Sequence, residues 1–186
     1  MLIDTHAHLD DPKLLGRVSE VLDNARAVGV ERVISVGIDE ATSATAIELA
    51  GRFDMVKATV GVHPHEGARV DDGVMKRLEE MARQPNVVAV GETGLDYYRD
   101  RSPREAQRRA FERQIELALA VNLPVVVHCR DAWPDCLEIL ERWAPKGLRG
   151  VAHCFSGDAA IAARLRRIGF YISFAGNVTY PSATRL

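Results

Sequence analysis

The chain has 186 residues, of which 47% are hydrophobic and 27% charged, and its formal net charge is −2 at pH 7. This length suits one domain with a substantial core, which we place at residues 1–186. The composition excludes a low-complexity or disordered protein, and no run approaches the roughly 18 apolar residues of a membrane-spanning helix. Because the net charge is slightly negative, a nucleic-acid partner must meet a local basic patch or bound cations.

Short β-branched segments alternate with longer helical patterns along the whole chain. The strands are predicted at residues 2–5, 32–36, 56–62, 87–90, 124–127, 150–152 and 170–174. The helices are predicted at residues 15–28, 41–52, 72–83, 103–121, 134–143 and 159–168. Strand starts recur at the spacing of one βα unit, and seven such units are visible.

A repeating βα pattern permits either an open doubly wound sheet or a closed (β/α)8 barrel. No GxGxxG motif follows the first strand, which disfavours a dinucleotide-binding sheet. All six histidines instead fall just past the C-terminal end of a predicted strand: His6, His8, His63, His65, His128 and His153. The C-terminal strand ends form the active face of a barrel. We therefore predict an α/β protein with a TIM-type (β/α)8 barrel fold, here with about seven βα units.

The end of the sequence departs from a complete barrel. The seventh strand runs into residues 176–181, a further helix is expected to begin at 182–186, and an eighth βα unit is missing. Seven strands leave two open edges where a closed barrel leaves none. We expect this form to self-associate or to pair with its missing segment, although the sequence leaves its oligomeric state open.

The histidines, together with one glutamate, predict a metal centre. His6 and His8 are two positions apart at a strand end, so their imidazoles lie on the same side. Glu92 follows the fourth strand between two glycines, while His128 and His153 follow the fifth and sixth. Imidazole and carboxylate ligands suit Zn²⁺, Mn²⁺ or Mg²⁺. Unrelated surface histidines would not gather at one end of the strands.

Several polar and aromatic residues surround this predicted centre. Arg130 follows His128 by two positions, and its guanidinium suits a phosphate. Asp10 and Asp96 could orient ligand histidines, and Asp10 could equally cap a helix or a turn. Six arginines between positions 99 and 113 form either a solvated helix face paired with Asp100, Glu105 and Glu112 or a patch for a phosphate backbone. Four aromatic residues after strand ends either pack or stack unpaired bases: Tyr97, Tyr98, Trp133 and Phe155.

The cysteines and the N-terminus bear on the cellular compartment. Cys129, Cys136 and Cys154 lie in or beside apolar segments, and none has a CxxC partner. We expect reduced core thiols in a cytoplasmic protein. Asp4 stands near the N-terminus with no basic residues before an apolar stretch, so we expect no signal peptide.

Five motifs together resemble the TatD-like metal-dependent deoxyribonucleases of the amidohydrolase superfamily, and they occur in that family's order. They are IDTHAHLD at 3–10, GVHPH at 61–65, GETGLDYY at 91–98, PVVVHCRDA at 124–132 and HCFSG at 153–157. The resemblance implies a hydrolase that cleaves phosphodiester bonds of DNA. It would act as an exonuclease at single-stranded or 3′ ends. Because no apolar run is long enough to span a membrane, we also expect no membrane partner.

The same resemblance implies a two-metal site holding Mg²⁺, Mn²⁺ or Zn²⁺. His6 and His8 would bind the first cation, His128 and His153 the second, and Glu92 would bridge them. His63 would face the substrate phosphate or support the metal ligands, whereas His65 could equally be a structural histidine of its loop. Family members also have a metal-binding Asp at the end of the eighth strand, and this sequence has no counterpart. We therefore expect a weakened first metal site and poor nuclease activity.

Two other functions remain open at this point. One is a hydrolase of the same fold that acts on an amide, a lactone or an aminoacyl-tRNA ester. Glu92 stands where relatives with a carbamylated lysine place that lysine, which favours the TatD-like branch. The other is an incomplete barrel that binds metal or nucleic acid without turnover.

Overall fold

The computed structural model describes residues 2–181 and residue 183, so most of the helix expected at 182–186 lies outside the described residues. Its strands are β1 (Leu2–Ala7), β2 (Val30–Val36), β3 (Val56–Val60), β4 (Val87–Asp96), β5 (Val125–Arg130), β6 (Gly150–Ala152) and β7 (Phe170–Ile172). They form one parallel sheet in sequence order. This βα architecture confirms the predicted fold class.

Helices connect successive strands. They are α1 (Pro12–Leu15), α2 (Val18–Ala27), α3 (Glu40–Arg52), α4 (Asp72–Ala82), α5 (Arg104–Ala120), α6 (Trp133–Trp143) and α7 (Ala159–Arg167). Short 3₁₀ helices occupy Pro64–Arg69, Ala144–Lys146 and Gly176–Thr179. Aspartates begin several helices; for example, the Asp71 side chain accepts a hydrogen bond from the Val74 N–H at the start of α4.

The sheet is curled. Thr5 Oγ1 in β1 lies 3.3 Å from Ser173 Oγ, just after β7, although β1 and β7 do not pair in the described sheet. Fully buried valines of the central strands, such as Val60, Val90 and Val127, form the core with the inner helix faces. The curl brings the C-terminal ends of all seven strands around one region.

Several predicted boundaries are wrong, two of them for reasons that the structure identifies. The single helix predicted at 15–28 is two helices, because the Asp11 side chain caps an earlier start at Pro12 and that first helix ends at Leu15, with Gly16 as its C-cap. The fourth strand continues from Val90 to Asp96. It can do so because Gly91 and Gly94 adopt φ angles of +140° and +135°, which favour glycine.

Three strands continue further than predicted, and this changes where several site residues lie. His6 is inside β1, Glu92 is inside β4, and His128 and Arg130 are inside β5, rather than after the strands as predicted. β4 and β5 approach closely here, since a Cβ on Gly94 would lie only 2.0 Å from the His128 carbonyl oxygen. The glycine therefore allows the two strands that carry Glu92 and His128 to remain paired beside the site.

Candidate metal centre

The Glu92 carboxylate is the centre of the cluster, and the Glu92 side chain is only 6% exposed. His6 Nε2 lies 3.3 Å from Glu92 Oε2, and His128 Nδ1 lies 3.1 Å from Glu92 Oε1. His63 Nε2 is 3.8 Å from Oε1, while His8 Nε2 is 3.9 Å from Oε2. Each carboxylate oxygen therefore faces two imidazoles, although these residues are far apart in the sequence.

The donor atoms form two groups that share Glu92. One consists of His6, Glu92 and His153, and the other of His63, Glu92 and His128; within each group the atoms lie within 4.8 Å of one another. The resemblance to the family implied instead that His153 binds the same cation as His128. In the structure His153 stacks on His6, with ring centroids 3.2 Å apart and planes inclined by 10°. The grouping follows from the curl that brings β6 and β1 together.

His8 completes the first group from its outer side. Its Nε2 is 3.3 Å from His6 Nε2, and its side chain is 41% exposed. Asp10 Oδ1 is 3.9 Å from His8 Nδ1 and has no hydrogen-bond partner among the described residues. Asp10 therefore stands beside His8 rather than capping α1, where Asp11 is the cap.

The electrostatic environment suits metal ligation. Burial would raise the pKa of the Glu92 carboxyl, but hydrogen bonds from His128 and His6 hold it well below its usual range. Burial lowers the pKa of His63 to about 3 and, with His6 nearby, that of His153 to about 4. These two imidazoles are neutral at pH 7, as metal ligands must be.

Unpaired nitrogens provide a test of whether the cluster fits cations. His6 Nδ1 and His153 Nδ1 are buried and have no hydrogen-bond partner within the described part of the chain. Buried polar atoms without partners are uncommon in native proteins and require a reason such as an absent ion. A set of imidazoles around an ionised carboxylate has the donor chemistry of Zn²⁺ or Mn²⁺. The residues therefore fit divalent cations.

Asp96, at the end of β4, holds two of the histidines. Its Oδ2 lies 3.1 Å from His65 Nε2 and 3.0 Å from His128 Nε2. Burial opposes ionisation, yet the hydrogen bond from His128 holds the pKa of Asp96 far below its usual range. Burial also opposes protonation of His128, but its bonds to Asp96 and Glu92 raise its pKa to about 9. In the absence of a cation, His128 therefore donates to both carboxylates.

Two buried glutamines of α5, which the sequence analysis missed, fix the strand ends. Gln107 accepts a hydrogen bond from the Asp96 N–H at 2.8 Å and donates to Ser102 O at 2.8 Å. Gln114 accepts from the Val62 N–H at 2.8 Å and donates to Val62 O at 2.9 Å. Their spacing of seven residues on an apolar helix face was the available signal.

Some arginines near the site form ion pairs with carboxylates, whereas Arg130 forms none among the described residues. Arg104 pairs with Asp100, as expected of a solvated helix face. Other arginines of the segment 99–113 pair with acids from different elements: Arg108 with Asp135 and Glu138, and Arg113 with Asp72. Arg130 is exposed, and its guanidinium carbon lies 3.9 Å from the Tyr98 ring centroid.

Access to the first group is available from the sheet's open side. A cavity of about 360 Å³ lies between β1 and the end of β7. Its lining includes Thr5, His6, His153 and Ser173. The described residues thus combine buried ligand groups with an opening to solvent.

A curled parallel βα sheet with imidazoles and a carboxylate gathered at its C-terminal strand ends defines a candidate metal-dependent hydrolase of the TIM-barrel type. The family model "TatD related DNase" matches residues 3–186. The chain belongs to this family.

Similar proteins agree with this membership. The uncharacterized metal-dependent hydrolase YabD of Bacillus subtilis is 38% identical over all of this chain and 72% of its own length. The 3′-5′ ssDNA/RNA exonuclease TatD of Cronobacter turicensis is 38% identical over 84% of this chain and 60% of its own length. The chain therefore spans about 60 to 72% of these two relatives' lengths.

A solved structure shows the same fold. The TatD homolog YjjV from Escherichia coli K12 superimposes with a TM-score of 0.90 at 32% identity, covering 97% of this chain and 70% of its own. Within the described residues, no helix is both long and apolar enough to cross a membrane.

Proposed function

We propose that this chain is a metal-dependent deoxyribonuclease that hydrolyses phosphodiester bonds exonucleolytically at single-stranded or 3′ ends of DNA. Family membership supports this reading, and so does the relative from Cronobacter turicensis, a 3′-5′ ssDNA/RNA exonuclease. The observation that carries it is the buried Glu92 carboxylate with imidazoles facing both of its oxygens. A carboxylate shared by two groups of histidines is suited to bridging two cations.

The residues that would hold the cations follow from the two groups. His6, His8, His153 and one Glu92 oxygen would hold one cation, while His128 and the other Glu92 oxygen, with His63 beside them, would hold the second. Bound Mg²⁺, Mn²⁺ or Zn²⁺ would lower the pKa of water and stabilise negative charge on the attacking and leaving oxygens. His128 Nδ1 and Glu92 Oε1 share a proton in the structure, and both would have to be deprotonated to serve as ligands.

Other side chains would orient the ligands and the substrate. Asp96 fixes the ring of His128 from the side opposite Glu92. His63, neutral at pH 7, is placed to support the second cation or to contact the phosphate. Arg130, exposed two residues beyond His128, would bind a phosphate through two parallel N–H groups.

The test is a nuclease assay on a labelled single-stranded oligodeoxynucleotide with Mg²⁺, Mn²⁺ or Zn²⁺ and with chelator. We expect shortening from one end that chelator abolishes. Glu92→Gln should reduce the rate by at least about 100-fold, because even residues that only support metal ligands contribute 10- to 100-fold. Glu116→Gln, an exposed site on α5, is the matched control and should retain activity.

Two results would overturn this proposal. Cleavage that continues in the presence of chelator would show that the reaction needs no cation. A fully active Glu92→Gln variant would show that no bridging carboxylate is needed. Hydrolysis of carboxylic esters or amides without any cleavage of DNA would favour the alternative amidohydrolase function.

A further inference from the structure

Tyr98 differs from the other aromatic residues that follow strand ends. Trp133 and Phe155 are buried and contact each other, with ring centroids 5.2 Å apart. Tyr97 is half-buried and donates its hydroxyl hydrogen bond to Asp135 at 2.7 Å. Tyr98, by contrast, is 58% exposed. It is therefore the one of these four rings that is available to a ligand.

Two arginine side chains lie beside the Tyr98 ring. The guanidinium carbon of Arg130 lies 3.9 Å from its centroid, and that of Arg99 lies 5.7 Å away. Neither arginine forms an ion pair with any carboxylate in residues 2–181. The positive charge of both is thus available beside an exposed aromatic surface, a combination typical of sites that bind single-stranded nucleic acid.

The backbone fixes this surface next to the metal centre. Asp96, which contacts His128, pairs with Arg130 across β4 and β5. The Tyr97 N–H donates to Arg130 O at 2.9 Å, and the Arg99 N–H donates to Asp96 Oδ1 at 2.8 Å. Tyr98 lies between these two anchored residues. Its position relative to His128 is therefore set by hydrogen bonds on both sides.

We propose that Tyr98 stacks an unpaired base of the substrate while Arg130 and Arg99 bind the adjoining phosphates. The inference rests on the proposed function and names the feature of the substrate that the site recognises. A base can present its face to Tyr98 only when it is not stacked within a duplex. Tyr98 therefore makes the site selective for single-stranded ends.

Binding and stacking can be measured without turnover. The probe is a phosphorothioate-linked single-stranded oligonucleotide that carries 2-aminopurine near one end, titrated in the presence of Mg²⁺. The unmodified chain should quench 2-aminopurine fluorescence on binding. Tyr98→Ala should lose the quenching and weaken affinity by about 5- to 150-fold, and Tyr98→Phe should retain both, because the phenyl ring still stacks. Tyr171→Ala, which removes another exposed tyrosine, on β7, is the matched control and should behave as the unmodified chain does.

A second probe separates stacking from a structural role of the ring. Replacing the 2-aminopurine nucleotide with an abasic one should weaken binding to the unmodified chain but leave the affinity of Tyr98→Ala unchanged. If Tyr98→Ala weakens binding of both probes equally, or weakens neither, the stacking proposal is overturned. A chain that quenches the probe yet never cleaves an ordinary oligonucleotide would refute the proposed nuclease function instead.

Discussion

Replacing Gln107 with leucine should destabilise the protein and weaken its metal binding. The substitution nearly preserves side-chain volume but leaves the buried Asp96 N–H and Ser102 carbonyl without their partner. Each unsatisfied group costs about 1–3 kcal/mol, and burying the leucine offsets about 1.5–3 kcal/mol of the sum. We expect a net loss of about 0.5–3 kcal/mol in the free energy of unfolding, which lowers the melting temperature by about 1–12 °C.

Urea unfolding followed by circular dichroism measures this loss, with Gln84→Leu at an exposed position as the matched control. The control should change stability by no more than about 0.5 kcal/mol. Because Gln107 positions Asp96 and Asp96 positions His128, metal affinity should also fall by about 10-fold or more in Gln107→Leu. Equal urea midpoints for the two leucine variants would refute the role we assign to the buried glutamine.

The remaining predictions concern the bridge, the phosphate contact and the sheet edge. Glu92→Ala should reduce bound metal from about two equivalents to about one or fewer, and metal analysis showing unchanged stoichiometry would exclude the bridge. Arg130→Ala should weaken single-stranded DNA binding and make the slope of log affinity against log salt shallower by about 0.7, whereas an unchanged slope in binding titrations would show that Arg130 contacts no phosphate. Sedimentation should detect self-association through the unpaired edges of β1 and β7 in the described sheet, and Ile3→Lys on the exposed β1 edge should reduce it. Concentration-independent monomers would contradict this last expectation.

The alternation of strands and helices was predictable from the sequence because each buried strand is a short, nearly continuous apolar run. Val125, Val126 and Val127 are all buried in β5, as strands covered on both faces should be. The convergence of the histidines was also predictable, since parallel strands place their C-terminal ends together. Neither inference required knowledge of contacts between distant residues.

The details of the site depended on geometry that the local pattern does not contain. The pair Gly91 and Gly94 suggested a loop, but positive φ angles at both positions allow β4 to continue past Glu92. The stacking of His153 on His6 depends on how far the sheet curls. Gln107 was overlooked because a polar residue in a charged helix usually faces solvent.

Diffraction from crystals of the Zn²⁺-loaded chain, with data collected at the zinc absorption edge, measures directly whether Glu92 joins two cations. We expect two anomalous peaks about 3.5–4 Å apart. Each should lie about 2.0–2.2 Å from a different Glu92 oxygen, one beside His6 and His153 and the other beside His128. A single peak, or two peaks without Glu92 as a shared ligand, would contradict the two-metal centre.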